Sequence, residues 1–516
     1  MPNLIIKIPA TEIILPYDEL NFKVLEEKVM EVLKETGKRV LEEVIKAVDE
    51  ITCCGRDKSL KIKGKGKKYI STVFGVIQFI RRRYQDTKKG VSRYLADEKL
   101  GIRKGMETSP TREMLETELA VICGSYRKAS KLINKYFIGG RSHESIRQVV
   151  LREGKAMREH QEAEIEDIRV EAIKGELHPE NNAPEVAYVE VDGTGLKMQK
   201  SRTGKRGSRR GREIKLGIVY SGHEQRYAGG NGKQKKLKNK YVYASLEKAE
   251  QFMWKFSLIC EKVLNISESR IKLFGGDGAE WINNGIKSFF YGFVYELCKF
   301  HLYRAIKRAF GYSKEMENKL KGYINLDKID DGIKFIDKII NMTGKKNKKR
   351  IKKLKDLRKY IDNNRDGINA IRRLKKELSS KDRKLISNLG AIESNIFNAV
   401  TQRMKKRRQS WSAAGAESML QMICRTINYG GMESWYSKER YEKIEIIEED
   451  YSRIVANTIW ADRRERGTAP ARMPVLTGPH QDKGWAGVLR NINDPVVVSQ
   501  DSDVEERDLV PEVVIN

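Results

Sequence analysis

Between Glu185 and Cys298 the apolar residues come in short runs rich in Val, Ile, Tyr and Phe, broken by Gly and Asp. On either side they recur every three or four positions among Lys, Arg and Glu. The first pattern predicts strands and the second amphipathic helices. Strands are expected at Val186–Val191, Glu213–Gly222, Lys240–Leu246, Arg270–Gly278 and Gly292–Cys298. A helix is expected at Glu247–Leu264 and another between the last two strands. Three strands, a helix, a strand, a helix and a strand describe a mixed α/β sheet.

Upstream, Leu20–Ile51 carries Phe22, Leu25, Val29, Val32, Leu33, Val40, Val44 and Val48 at helical spacing, interrupted at Gly37. It reads as a packing or association helix. Arg56–Lys68 is basic and punctuated by Gly. The next stretch, "YISTVFGVIQFIRRRY" (Tyr69–Tyr84), predicts a hairpin ending in Arg81-Arg82-Arg83. Such an edge either binds nucleic acid or is a strand edge protected by charge. Thr111–Arg152 predicts three short helices, with a break at Gly139-Gly140 and Ser142 capping the third. Two helices about a Gly turn fit a helix-turn-helix, which would aim His143, Glu144, Arg147 and Gln148 at base edges or phosphates. An ordinary helical bundle is the other reading. A charged helix, Glu153–Lys174, and a linker, Pro179–Pro184, lead out of this region.

Downstream, Leu302–Leu389 reads as basic helices, and Gly390–Ser412 as a helix with Lys405 and Arg407 after its first turns. The expected organisation is an association helix (1–52), a basic hairpin segment (53–105), a helix-turn-helix region (106–158), and a charged helix with linker (159–184). A catalytic domain in two parts (185–301 and 390–460) would enclose a helical insertion (302–389). The tail (461–516), rich in Pro, Gly and charge, is expected to be largely disordered.

Composition changes the picture by its charge. Lys and Arg number 101 against 71 Asp and Glu, a formal +30 over 516 residues. That surplus points to a polyanion, first of all double-stranded DNA. No segment is apolar enough to span a bilayer. The start of the chain lacks a basic leader and cleavage site, so it reads as mature protein. Six scattered cysteines suit a reduced cytoplasm better than a disulfide scaffold. The loop "KMQKSRTGKRGSRRGREIK", with Arg209 and Arg210, could hold phosphates or be an ordinary solvated loop.

The candidate chemistry lies where strands end. "YVEVDGTG" and "LFGGDGAEW" each run an apolar strand into an Asp-Gly step, at Asp192 and Asp277. Asp-Gly is also a common turn. Two such acids in one sheet can converge at one edge, and a third on a following helix would complete a site for two divalent ions. Glu393 in "GAIESN" is placed for that role, with Glu417 as rival. Two metals roughly 3.5–4 Å apart activate the attacking oxygen and stabilise the leaving one in phosphoryl transfer. Mg²⁺, or Mn²⁺, calls for carboxylate ligands. By strand periodicity Glu190 shares a face with Asp192 and reads as a supporting residue.

These blocks resemble bacterial insertion-sequence transposases of the ISLre type, a group also catalogued as an uncharacterised protein family. More distantly they are similar to the Mutator group. The resemblance covers roughly Tyr69–Tyr436 and rests on "TVFGVIQFIRRRY", "SYRKAS…SHESIRQVV", "VEVDGTG", "REIKLGIVYSG", "LFGGDGAEWI", "CKFHLYRAIKRAF" and "GAIESNIFNAVTQRMKKRRQSWS". It implies an RNase H-like catalytic domain with a DDE triad at Asp192, Asp277 and Glu393, interrupted by a helical insertion. It further implies action on the element's terminal repeats and on target DNA, as a homo-oligomer in the bacterial cytoplasm near the nucleoid. Mutator-type enzymes carry a Cys-x-x-His where this chain has Cys298 and His301. A closed zinc site would need four ligands, so His301 is expected either to contact DNA or to pack at a strand-to-helix junction. The rival functions are an RNase H-like nuclease or resolvase, and a non-catalytic DNA-binding protein derived from a transposase.

Overall fold

The structure is a computed structural model and describes residues 21–137, 140–199, 211–226, 235–344, 347–406 and 409–437. The expected tail at 461–516 lies outside them, as do Arg209, Arg210 and Arg407. Helix α1 (Phe22–Cys54) leads into strands β1 (Leu60–Thr72), β2 (Gly75–Asp86) and β3 (Ser92–Arg93), then α2 (Leu95–Leu100). Helices α3 (Pro110–Cys123), α4 (Tyr126–Tyr136) and α5 (His143–Lys174) follow. The central strands are β4 (Val186–Leu196), β5 (Arg212–Tyr220), β6 (Gly222–Gln225), β7 (Lys235–Lys238) and β8 (Tyr241–Ser245). Helix α6 (Ala249–Leu264), β9 (Ile271–Gly276), α7 (Glu280–Phe289) and β10 (Val294–Leu297) complete that half. A helical layer comes next: α8 (Lys299–Phe310), α9 (Lys314–Asn325), α10 (Ile329–Met342), α11 (Lys348–Asn363), α12 (Ala370–Glu377) and α13 (Ser380–Leu385). The described chain ends with α14 (Ala391–Ile396), a π-helix over Phe397–Lys405, and α15 (Ala413–Tyr429).

The expected mixed α/β architecture is present. The large sheet runs β10-β9-β4-β5-β8. Strand β4 pairs antiparallel with β5, and β5 with β8, while β9 and β10 run parallel on the other side of β4. Alternation along β4 sorts its side chains between two cores. Val186 and Tyr188 face one with α14 and α15, whereas Ala187, Val189 and Val191 face another with α6 and α7. The helices between β10 and α14 have a core of their own, built on Leu302, Ile306, Phe310, Ile336, Leu354 and Ile361.

Several boundaries differ from the sequence pattern. The hairpin is β1–β2 with its turn at Val73-Phe74, so it begins before Tyr69 and the basic stretch Arg56–Lys68 supplies most of β1. Gly37 does not interrupt α1; the ring of Phe74 sits against it, and a Cβ there would meet that ring at 2.6 Å. The third helix and the charged helix are one, α5, because Glu153 and Gly154 are buried mid-helix. The linker at Pro179–Pro184 is tied to α6 through Glu180 N–H to Lys262 C=O and Asn181 Nδ2 to Val263 C=O. Helices α3–α5 share the core of the β4–α15 layer through Ala120, Ile133, Ile146 and Val150 rather than standing apart.

Gly154 shows how close that layer is. A Cβ there would lie 2.3 Å from Ser418 Cβ and 2.5 Å from its Cα, on α15. Gly154→Ala should therefore cost about 1–3 kcal/mol. Gly322→Ala in α9, with nothing within 4 Å, should gain up to about 1 kcal/mol from helix propensity. Urea unfolding of both variants checks this; a Gly154→Ala protein as stable as its parent would mean α5 and α15 are not in such contact.

Candidate metal centre

The register of the two central parallel strands builds the site. Glu190 on β4 lies opposite Gly275 on β9, and two residues on, the same register sets Asp192 level with Asp277. Both side chains leave on the face that carries Tyr188 and Leu273. Asp277 turns the chain at once, its Oδ1 accepting the Ala279 N–H at 2.8 Å. Asp192 Oδ1 accepts from Gly193 N–H at 2.7 Å.

Glu190 supports this edge from beneath. It is 1% exposed and accepts the Tyr220 hydroxyl at 2.8 Å. It also accepts the N–H groups of Gly390, Ala391 and Ile392 at 2.8, 3.0 and 3.3 Å. Those amides open α14, so one carboxylate fixes the helix that carries Glu393. Gly275 leaves the room, since a Cβ there would come within 3.1 Å of Glu190 Cγ.

Two overlapping sets of donor atoms result. Asp192, Asp277 and His301 offer ligand atoms within 4.8 Å of one another, and so do Cys298, His301 and Glu393. His301 Nδ1 lies 3.1 Å from Glu393 Oε1, an ion pair when the imidazole is protonated, yet neither atom makes a hydrogen bond although both are shielded from solvent. Buried polar atoms without partners are rare, and an ion between them is one of the few explanations. The donors therefore fit a divalent cation. Asp192 is pushed up to about 7 by burial, reinforced by the charges of Asp277, Glu393 and Glu213, with the Gly193 N–H opposing.

The other expected site residues divide. Glu417, the rival third acid, is taken at the far edge of the sheet, where it accepts Leu246 N–H at 3.1 Å. Strand β4 does not stop at Asp192 as expected but continues to Leu196, held by its antiparallel pairing with β5; Lys405 reaches it there, donating to Thr194 Oγ1 at 2.8 Å. His143, Arg147 and Gln148 stand at the open start of α5, with Glu144 holding Arg147 and Gln148. Arg81 and Arg82 do not face outward as expected. Arg81 is buried in an ion pair with Asp97 at 2.9 Å and lies over the Tyr94 ring, and Arg82 binds Asp49 on α1 at 2.7 Å. They fasten α1 and α2 to the hairpin, while Lys61, Lys63, Lys65, Lys67 and Arg83 remain exposed there. Sequence reasoning missed Tyr360, whose hydroxyl donates to the Asp277 carbonyl at 2.6 Å from the helical insertion. A lone tyrosine in a lysine-rich helix gives no signal for that contact.

Fold and site define a class: a mixed α/β protein with acids, a histidine and a cysteine gathered at the ends of parallel strands. The chain belongs to the uncharacterised protein family UPF0236, whose model matches residues 15–441. Among its relatives is a UPF0236 protein of Caldanaerobacter subterraneus subsp. tengcongensis, 25% identical over 424 residues, covering 80% of this chain and 79% of the relative. A second from that organism, named by eleven joined locus designations, is 24% identical over 420 residues, 80% and 79% of the two chains. A third, the UPF0236 protein in the vanSb 3' region of Streptococcus gallolyticus, is 22% identical over 378 residues, 72% and 75%. Among the described residues no helix is long and apolar enough to cross a membrane.

Two predictions follow from the electrostatics of this edge. With its pKa raised, Asp192 in the folded protein keeps a proton that the unfolded chain has already released. Stability due to this group is therefore greatest below about pH 4 and declines as pH rises towards 7. Asp192→Asn should melt above the parent at about pH 8, with the gap closing below about pH 4. A gap independent of pH, in thermal scans across that range, would refute the raised pKa. Glu190→Gln puts an NH₂ among four donors and should cost about 1–3 kcal/mol, read by urea unfolding. No loss would show that α14 is held by something else.

Proposed function

We propose that this chain is a DDE-type DNA transposase of a bacterial insertion sequence, which binds element ends and performs cleavage and strand transfer with Mg²⁺ or Mn²⁺. The observation that carries the reading is the convergence of Asp192 and Asp277, level on neighbouring parallel strands, with Glu393 delivered to the same edge across the helical insertion. The strand order β10-β9-β4-β5-β8, antiparallel on one side of β4 and parallel on the other, supports an RNase H-like catalytic domain. That part of the argument is fold-level analogy. The packed trio α3–α5, with the N-terminus of α5 exposed, supports the helix-turn-helix assignment. A relative whose name joins eleven locus designations in one organism suits an element that multiplies within a genome.

Divalent ions bound here would supply Lewis-acid activation of the attacking and leaving oxygens of DNA phosphodiesters. The chain's part is to hold and orient. Asp192, Asp277 and Glu393 would ligate, and Glu190 keeps α14, hence Glu393, in register. Tyr360 fixes the Asp277 loop from the insertion. Lys405, bonded to Thr194 two residues beyond Asp192 on β4, would meet phosphate. Exposed lysines of β1, with Arg83, His143, Arg147 and Gln148, would grip duplex DNA, and the +30 charge makes that grip steeply salt-sensitive. The exposed Phe22, Met30 and Leu33 of α1 favour a homo-oligomer, which pairing of two ends requires.

The test incubates the full chain with labelled DNA bearing the element's own ends, with Mg²⁺, Mn²⁺ or EDTA. Joining should need the metal and fall by more than about a hundredfold, the upper range for even an outer-shell partner, in Asp192→Asn, Asp277→Asn and Glu393→Gln. Glu417→Gln should keep it. Cleavage without joining would replace the transposase by a nuclease or resolvase. Tight binding with no cleavage under any metal would leave a DNA-binding protein.

A further inference from the structure

We propose that Cys298, His301 and Glu393 bind a thiophilic divalent ion of the Zn²⁺ and Co²⁺ class, at a position apart from the Asp192–Asp277 pair. Cys298 caps α8 and His301 stands in its first turn, so β10 and α8 hold the two one helical turn apart. Glu393 arrives from the start of α14, and the three donors close to within 4.8 Å of each other. His301 Nδ1 and Glu393 Oε1, which face each other at 3.1 Å without a hydrogen bond, belong to this set. From the sequence a zinc site looked short of ligands; the third comes from a helix about ninety residues away.

The donor chemistry decides the class of ion. Mg²⁺ takes hard oxygen ligands, whereas thiolate and imidazole select transition ions. Three protein ligands with a fourth position open is the pattern of an exchangeable zinc site rather than a closed structural one. Among the described residues the two buried thiols, Cys260 and Cys424, sit inside apolar cores, and neither belongs to a set of this kind. His301 is common to both donor sets. An ion on the sulfur side therefore takes His301 from the aspartates, while Glu393, with two carboxylate oxygens, can still turn one towards them, leaving a hard, oxygen-only end beside a soft one. Binding here does not depend on the chain acting on DNA.

The experiment uses the full chain, stripped of metal and without DNA, titrated with Co²⁺ and followed by absorption. A thiolate-to-cobalt charge-transfer band in the near ultraviolet should rise and saturate, be bleached by Zn²⁺, and resist a large excess of Mg²⁺. Cys298→Ser should abolish it, and His301→Ala should weaken binding by on the order of tenfold or more. Asp192→Asn should retain the band. A band that survives Cys298→Ser, or that Mg²⁺ removes, overturns the proposal. The unsubstituted chain gives a second reading: Zn²⁺ should shield Cys298 from iodoacetamide, as seen by peptide mass spectrometry. Equal alkylation with and without Zn²⁺ overturns the site even if every variant folds poorly. Loss of this site leaves the DNA-cutting assay unaffected as a test of its own, since neither readout involves DNA.

Discussion

A carboxylate with almost no exposure to water joins β4 of the large sheet to the helix that follows the insertion. Glu190 grows from the middle of β4, and its four hydrogen bonds reach β5 and the first turn of α14, some two hundred residues further along the chain. Burial drives its pKa up, while the Tyr220 hydroxyl and three amides pull it down. The amides are those that a helix start leaves unpaired, and the helix dipole favours an anion there. Helix α14 has six residues, too few to persist alone in water. It runs straight into the π-helix, and the position of Glu393 depends on packing of Ile392 and Ile396, on this anchor, and on Lys240 donating to Asn395 Oδ1.

Once that anchor is set, the insertion between β10 and α14 can be long without disturbing the edge. Its closure entropy grows only slowly with length, and its own core pays no part in aligning the acids. Yet it is attached at both ends. Glu296 of β10 accepts the Ile371 N–H at 2.8 Å at the start of α12, and Tyr360 on α11 holds the Asp277 carbonyl. Asn364 crowds Gly278, whose φ of 82° suits glycine. The insertion thus shapes the turn that aims Asp277, which gives it a place at the site as well as beside it.

What could be read from the sequence followed burial. Strands β4, β5, β8, β9 and β10 and helix α6 announce themselves because their apolar runs are covered, and Asp192 and Asp277 stand out as acids where such runs stop. Strand β1 hid its first half, because a face open to solvent allows lysines where a buried strand would show Val or Ile. Arg81 and Arg82 looked like a basic surface because sequence does not reveal Asp97 and Asp49 across from them. The β6–β7 pair, polar except for Leu237, gave no pattern to find. Glu393 was the expected third acid, with Glu417 a rival that pattern alone did not exclude. Only the fold separates them, by placing one at the start of α14 and the other beside β8, and only the fold brings Glu393 to Cys298 and His301.

The way buried charge is handled elsewhere makes this edge stand out. Glu116 meets Arg112 and Arg141, Glu113 and Glu153 meet Arg152, and Glu247 meets Lys255. Glu417 and Glu296 accept backbone amides. Each of these acids gains a donor in exchange for lost water, as burial of charge demands. Asp192 has one amide, from Gly193, but otherwise faces Asp277, Glu393 and Glu213, while His301 Nδ1 and Glu393 Oε1 meet at 3.1 Å without a hydrogen bond. A chain that pairs its buried acids so consistently departs from that habit at one place, where three elements from distant parts of the sequence meet. Such local costs collect where a fold serves a ligand rather than itself, and the charge missing from this edge is positive.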